Sequence, residues 1–285
     1  MDALDINHWN LSPQPQPAPM KWITQHELGN LLGVADLYEI DMRYIKQRRG
    51  QYPSVHRARV EQLVNTAQFR DWISTLASQI LLVHGDFGEP SKNHVSALSL
   101  FSTTFVEALK SIDRFLPLVF FCGRHLDPSN SPIAGEAIIK SLLSQLLRQQ
   151  AFDTRYLHHE IDMSKVNNGD VGELCVLFYW LARRVPENVT LFCLIDGIVL
   201  YERSDYEYTM GQVVAYLLDM TRELSIRCIL KVLITSPIVT AKVRQHPAFY
   251  AGTNILSMAT MPPLGQGSSE ARLARQLGEN LGIFA

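Results

Sequence analysis

Four short apolar runs recur along the chain: Ile80-Leu81-Leu82-Val83, Leu118-Val119-Phe120-Phe121-Cys122, Leu191-Phe192-Cys193-Leu194-Ile195 and Ile229-Leu230-Lys231-Val232-Leu233-Ile234. Each is too short for a helix. Each is also apolar at consecutive rather than alternate positions, which marks a strand buried on both faces, as in parallel sheets. A weaker fifth run is Ile255-Leu256-Ser257-Met258. Pro117 stands before the second run and is expected at the first position of its strand, where no ladder donor is lost further in. Between the runs, apolar residues fall three and four apart. Val95, Leu98, Phe101, Phe105 and Leu109 mark one helix, and Ile138, Ile139, Leu142, Leu143, Leu146 and Leu147 another. Val171, Leu174, Phe178 and Leu181 mark a third, and Val213, Val214, Leu217, Leu218 and Leu224 a fourth. A helix read from Val60 through Phe69 and Trp72 to Leu76 leads straight into the first strand. This alternation predicts a three-layer α/β fold: a mainly parallel sheet of about five strands, covered by helices on both faces. In such a fold the ligand site lies at the carboxyl ends of the strands.

The apolar fraction, 47% of 285 residues, is enough for a sizeable interior. Lys+Arg 26 against Asp+Glu 28 leaves a formal charge of -2, so no global field draws the chain onto nucleic acid or an acidic membrane. Nucleic acid is therefore not the expected partner. Cys122, Cys175, Cys193 and Cys228 lie in or beside apolar runs without C-x-x-C spacing, the pattern of buried free thiols in a reducing compartment. No run approaches the roughly 20 apolar residues needed to cross a bilayer, and the N-terminus lacks a basic start followed by an apolar stretch. The cytoplasm is the expected location. Residues 1–57 are set apart as a proline-rich arm (Ser12-Pro13-Gln14-Pro15-Gln16-Pro17-Ala18-Pro19) and a basic segment around Arg43-Tyr44-Ile45-Lys46-Gln47-Arg48-Arg49, read as a solvated helix face. Residues 58–262 form the main domain. Residues 263–285 are a linker and a short polar helix.

The first run ends in His84-Gly85-Asp86-Phe87-Gly88-Glu89-Pro90-Ser91-Lys92-Asn93 and is followed by a helix. A strand, a glycine turn and a lysine heading a helix make up the layout of a phosphate-binding loop. Gly85, Gly88, Ser91, Lys92 and Asn93 are accordingly the candidate nucleotide-binding residues. The residues depart from the pattern G-x-x-x-x-G-K-[ST]: counted from Gly85, positions 90, 91 and 92 hold Pro, Ser and Lys. Asn93 then stands in place of the magnesium-binding hydroxyl. Asp86 and Glu89 add negative charge where phosphates would sit. The third run ends in Asp196-Gly197, where a strand-end carboxylate would hold magnesium if nucleotide binds. The fourth ends in Thr235-Ser236-Pro237. No H-E-x-x-H, G-x-S-x-G or G-x-G-x-x-G motif is present, and His158-His159-Glu160 lacks the spacing to set two imidazoles on one helix face.

Taken in order, several pieces resemble the NACHT-type domain of STAND signalling NTPases, a P-loop NTPase-like fold, in the nephrocystin-3-like version of fungal proteins. They are Phe69-Arg70-Asp71-Trp72 before Ile80-Leu81-Leu82-Val83-His84-Gly85, Leu118-Val119-Phe120-Phe121 before Ile139-Lys140-Ser141-Leu142-Leu143-Ser144-Gln145-Leu146-Leu147, Leu194-Ile195-Asp196-Gly197, and Leu230-Lys231-Val232-Leu233-Ile234-Thr235-Ser236. The resemblance spans about Val60 to Met261. It implies an Asp-Glu pair for water activation where this chain has Val199 and Leu200, with Glu202 displaced by two residues. It also implies a γ-phosphate-sensing arginine where this chain has Pro237. Loss of the phosphate cradle, the base and the sensor together gives the expectation of a pseudo-NTPase that binds another protein as a scaffold, with no cofactor required. Two alternatives stay open. One is a residual NTPase in which Lys92 reaches the phosphates of ATP and Asp196 holds magnesium, and the other is a switch that binds nucleotide without hydrolysing it.

Overall fold

The computed structural model of the chain describes residues 22–34, 36–88, 94–127, 129, 132–259, 261 and 270–282. The elements run α1 (Gln25–Leu32), α2 (Leu37–Gln47), α3 (Ser54–Leu63), α4 (Ala67–Ser74), β1 (Gln79–His84), α5 (Ala97–Lys110), β2 (Phe115–Phe121), α6 (Ala134–Gln149), α7 (Leu157–Glu160) and α8 (Met163–Asn167). They continue with α9 (Val171–Ala182), β3 (Thr190–Asp196), α10 (Glu207–Met220), β4 (Ile229–Ser236), β5 (Ile255–Ser257) and α11 (Glu270–Gly282).

The strands form one five-stranded sheet in the order β2-β3-β4-β1-β5. Every pair is parallel, with Phe121 opposite Asp196 and Asp196 opposite Thr235 at the carboxyl ends. The three-layer α/β architecture read from the apolar runs is the one observed. Alternate strand residues feed two cores. Ile80, Leu118, Cys193 and Val232 meet α1, α6, α9 and α10 on one face. Leu81, Val119, Leu194 and Leu233 meet α2 to α5 and α11 on the other. The opposite directions of the crossovers explain the two faces. β1 connects leftward past β4 and β3 to β2, while β2 to β3 to β4 steps back, and right-handed connections then place their helices on opposite sides. The chain leaves β1 toward one face and β4 toward the other, which opens a crevice at their carboxyl ends.

Three expectations are corrected. Pro117 is the third residue of β2 rather than its entry point. It is tolerated because β2 is an edge strand, and residues 117 and 119 present their backbone groups away from β3. Gln145 of α6 takes the place of a missing strand there: Val119 N–H donates to its Oε1 and its Nε2 donates to Val119 C=O, both at 2.8 Å. One helical turn on, Gln149 donates to the Pro117 carbonyl at 3.0 Å. The single helix read from Val60 to Leu76 is two helices, because Thr66 accepts the N–H of Phe69 and caps a new start at α4. Leu76 and Leu224, counted as apolar-face residues, lie beyond their helices at 78% and 98% exposure.

The terminal segments join the cores. Leu28 and Leu32 of α1 pack on the α6 face, and Met42 and Ile45 of α2 pack on the α5 face, so the chain wraps the β2 edge. In α11, Leu273, Leu277 and Leu281 recur every fourth position and are buried against that same α5 face, and Arg272 pairs with Glu61 at 2.7 Å. Three leucines on one stripe anchor an otherwise polar helix, at about 1.5–3 kcal/mol each. The proline-rich arm lies outside the described residues. All four cysteines are free and buried. Among the described residues, no helix is long and apolar enough to cross a membrane.

Candidate functional site

The loops that leave the carboxyl ends of the strands line the crevice. After β1, Gly85 N–H donates to the Ser236 carbonyl at 2.8 Å and Phe87 N–H to the Pro237 carbonyl at 3.0 Å, so the turn continues the ladder to β4. A side chain at 85 would lie 2.7 Å from the Phe87 ring, which in turn stacks on His56 with centroids 4.4 Å apart. Gly88 has φ +82, a conformation that favours glycine. Asp86 is drawn toward β5, where Ser257 Oγ donates to it at 2.6 Å. Ser91, Lys92 and Asn93, three of the six candidate residues, lie outside the described residues together with Glu89 and Pro90.

Asp196, at the end of β3, is 2% exposed. Its Oδ2 accepts from Ser99 Oγ and its Oδ1 from Thr235 Oγ1, each at 2.6 Å. Burial raises its pKa to about 6, while the two hydroxyl donors pull the other way. Ser99 is oriented by the start of α5: its Oγ accepts the N–H of Ser96 at 2.9 Å, leaving its proton for Asp196. Ser99 and Thr235 are the residues that sequence reasoning missed. Following the displaced Lys92 put the hydroxyl position at Asn93, but the hydroxyl that meets the strand-end Asp is Ser99, fourteen positions after Gly85 rather than the seven the pattern allows. A signal was available in Ser96 and Ser99, whose spacing is that of a capping box and which place the helix start at Ala97. The residue before Ser99, where the pattern wants lysine, is Leu98, fully buried in the core.

Glu202 comes directly after the short 3-10 turn Ile198–Tyr201. Its Oε2 accepts from Ala241 N–H at 2.6 Å, and its Oε1 accepts from Lys242 and Val243 N–H, each at 2.7 Å. Both oxygens are thus committed to the loop after β4. His84, buried at the end of β1, accepts the Thr240 N–H at 3.4 Å, and burial lowers its pKa.

Cations reach this end of the sheet from outside the loops. Arg48, just after α2, and Arg124, just after β2, each place Cζ 3.5 Å from the centroid of the Tyr44 ring. Two groups that close must occupy opposite faces, so Tyr44 is sandwiched between them. Asp41, buried beside them, accepts from His125 Nε2 at 2.6 Å and pins α2 to the end of β2. The basic cluster read as a solvated helix face is therefore split: Lys46 pairs with Glu107 at 2.6 Å, Arg49 with Glu270 at 3.3 Å, and Arg48 packs inward on Tyr44. Gly123 lets the loop entering α5 approach the end of β2, since a Cβ there would stand 1.7 Å from the His94 carbonyl oxygen.

In this five-stranded parallel sheet, the strand-end carboxylate is bonded to a hydroxyl of the helix that comes after β1. A family comparison covers the same segment. The family model described as Nephrocystin 3, N-terminal, matches residues 59–236, more than half of the chain. The chain belongs to this family. None of the curated proteins matches it. The nephrocystin 3 N-terminal match runs from α3 to the end of β4. It contains Gly85, Ser99, Asp196, Glu202 and Thr235, and excludes α1, α2, β5 and α11. The Asp41 contacts to Arg124 and His125, just after β2, are thus made by a helix outside the matched segment.

Tested against a nucleotide and its magnesium, the residues fit in one part only. Ser99 and Asp196 together offer the hydroxyl and carboxylate that hold magnesium in phosphate-loop proteins. Among the described residues, the lysine and water-activating positions do not fit, because Leu98, Val199 and Leu200 carry no polar side-chain group.

Proposed function

We propose that this nephrocystin-3-type domain is a cytoplasmic pseudo-NTPase that acts as a protein-binding or regulatory scaffold. The observation that carries this reading is the pair Leu98–Ser99. The hydroxyl that meets Asp196 is preceded by a fully buried leucine, so among the described residues no lysine stands at the head of α5 to cradle the β- and γ-phosphates. Two further contacts support it. Glu202, the nearest carboxylate after the strand-end Asp, is saturated by three backbone N–H groups. The loop after β4, which would carry a phosphate sensor, begins with Pro237 and gives its carbonyl to Phe87. What such a crevice retains is rigidity, which suits a scaffold.

A second reading is favoured by the Ser99–Asp196 hydrogen bond itself: the metal-holding half of a nucleotide site is assembled, as a domain that still binds ATP and magnesium would require. Thermal denaturation and calorimetry with and without magnesium-ATP separate the two. The scaffold reading expects no change. Ligand at a hundred times its dissociation constant would stabilise by about 2.7 kcal/mol. A saturable, magnesium-dependent shift that disappears in Ser99→Ala overturns the scaffold reading in favour of a nucleotide-binding switch. Turnover of ATP lost in both Ser99→Ala and Asp196→Asn would make it an enzyme.

A further inference from the structure

A cavity of about 500 Å³ opens at the opposite end of the sheet, lined by Arg183, Arg184, Glu187, Ser225 and Arg227. Two loops build it, one between α9 and β3 and one between α10 and β4. They are locked together: Tyr179 Oη and Ser225 Oγ lie 2.7 Å apart, Cys228 Sγ lies 3.7 Å from the Ala182 carbonyl, and Ile229 N–H donates to Val189 C=O at 3.2 Å. The three guanidinium groups differ in how far they are committed. Arg184 stacks on Trp180 with Cζ 3.4 Å from the ring centroid, donates to the Trp180 carbonyl at 2.9 Å and to Glu160 at 3.2 Å. It serves the carboxyl end of α9. Arg183, whose Cζ is 5.4 Å from the Tyr179 ring, and the exposed Arg227 make no ion pair among the described residues, and Glu187 closes on neither.

We propose that this cavity is a binding site for a phosphate group, held by Arg183, Arg227 and the Ser225 hydroxyl. Two forked donors on separate loops suit an anion whose oxygens point in more than one plane, as phosphate's do and a carboxylate's do not. With Tyr179 donating to Ser225 Oγ, the serine proton remains for the anion. Glu187 and the negative end of α9 weaken the affinity. The site is independent of the crevice and stands whether or not nucleotide binds there.

The test is titration of the full chain with sodium phosphate at constant ionic strength, following the arginine Nε–H resonances by NMR. Saturable shifts of Arg183 and Arg227 are expected, weakened at least tenfold in Arg227→Ala with an unchanged melting temperature, and less in Arg227→Lys. Shifts reproduced by chloride at equal ionic strength, or Arg183 shifts retained undiminished in Arg227→Ala, overturn the site. A phosphoserine peptide serves as the second arm. Saturation by it below the phosphate concentration, and not by its unphosphorylated form, upholds the site with a modified protein as the source. Weaker saturation than by phosphate upholds it with the free anion as the source.

Discussion

The two ends of the parallel sheet treat their polar groups in opposite ways. At the carboxyl end, Asp196, Glu202, Asp41 and His84 each have partners within the chain, supplied by loops or by helices that the sheet brings together. At the amino end, Arg183 and Arg227 face a cavity and stay unpaired among the described residues. A catalytic centre needs groups free to change partners. On the reading proposed above, the saturated end is the less reactive one, although it is where an open α/β sheet ordinarily places its ligand. The unsaturated end invites an external anion.

Four measurements can break or sharpen this contrast. The largest effect is expected at the crowded carboxyl end. Gly123→Ala drives a methyl into the His94 carbonyl oxygen, 1.7 Å from the ideal Cβ position, and should cost about 3 kcal/mol in urea unfolding. A loss below about 0.5 kcal/mol would mean that the loop entering α5 yields freely and that this end is not rigid. Next comes Lys231, buried on β4 toward the amino end, whose ammonium donates to the carbonyls of Trp72 and Thr75, each at 2.7 Å. Lys231→Met leaves those last carbonyls of α4 unpaired, an expected loss of about 2 kcal/mol by the same assay. Neutral behaviour would show that the interior of the amino end is as loosely committed as its surface.

Asp196 gives a smaller effect with a distinctive pH window. Its folded pKa, about 6, is raised above the ordinary carboxylate value of 3.8, so the folded state holds the extra proton between these values. The stability contributed by that proton is complete below about pH 3.8 and is lost as pH rises through about 6. Relative to Asp196→Asn, the wild-type chain should lose stability from pH 4.5 to 6.5, at no more than about 1.4 kcal/mol per pH unit. Parallel curves for the two proteins would show that Asp196 is solvated, and with it the crevice. Arg227→Ala should change stability by less than about 0.5 kcal/mol, because the side chain is exposed and bound to nothing described. A larger loss would reveal a structural partner and erase the contrast at the amino end.

Most of the architecture was legible because its signal is local. A run such as Leu191 to Ile195 is apolar at every position, and only burial on both faces of a sheet accommodates that. The register of the candidate site was less legible. The phosphate-loop pattern fixes distances along the chain, whereas Ser99 reaches Asp196 through the arrival angle of α5, set by packing of Leu98, Phe101 and Phe105 against β2 and β3. The commitment of Glu202 was not legible, because its three donors lie 39 to 41 positions away on another loop. α11 was legible in principle, since Leu273, Leu277 and Leu281 keep a four-residue spacing.

By itself, the sequence determined the strands, the main crossover helices and the membership of a parallel α/β family. Hydrophobic periodicity acts on neighbouring residues and needs no knowledge of the whole. Only the tertiary structure decided which polar groups are spent and which are free. A hydrogen bond between Ser99 and Asp196, or an empty fork at Arg227, depends on where distant segments of backbone come to rest. Short-range patterning does not encode those positions.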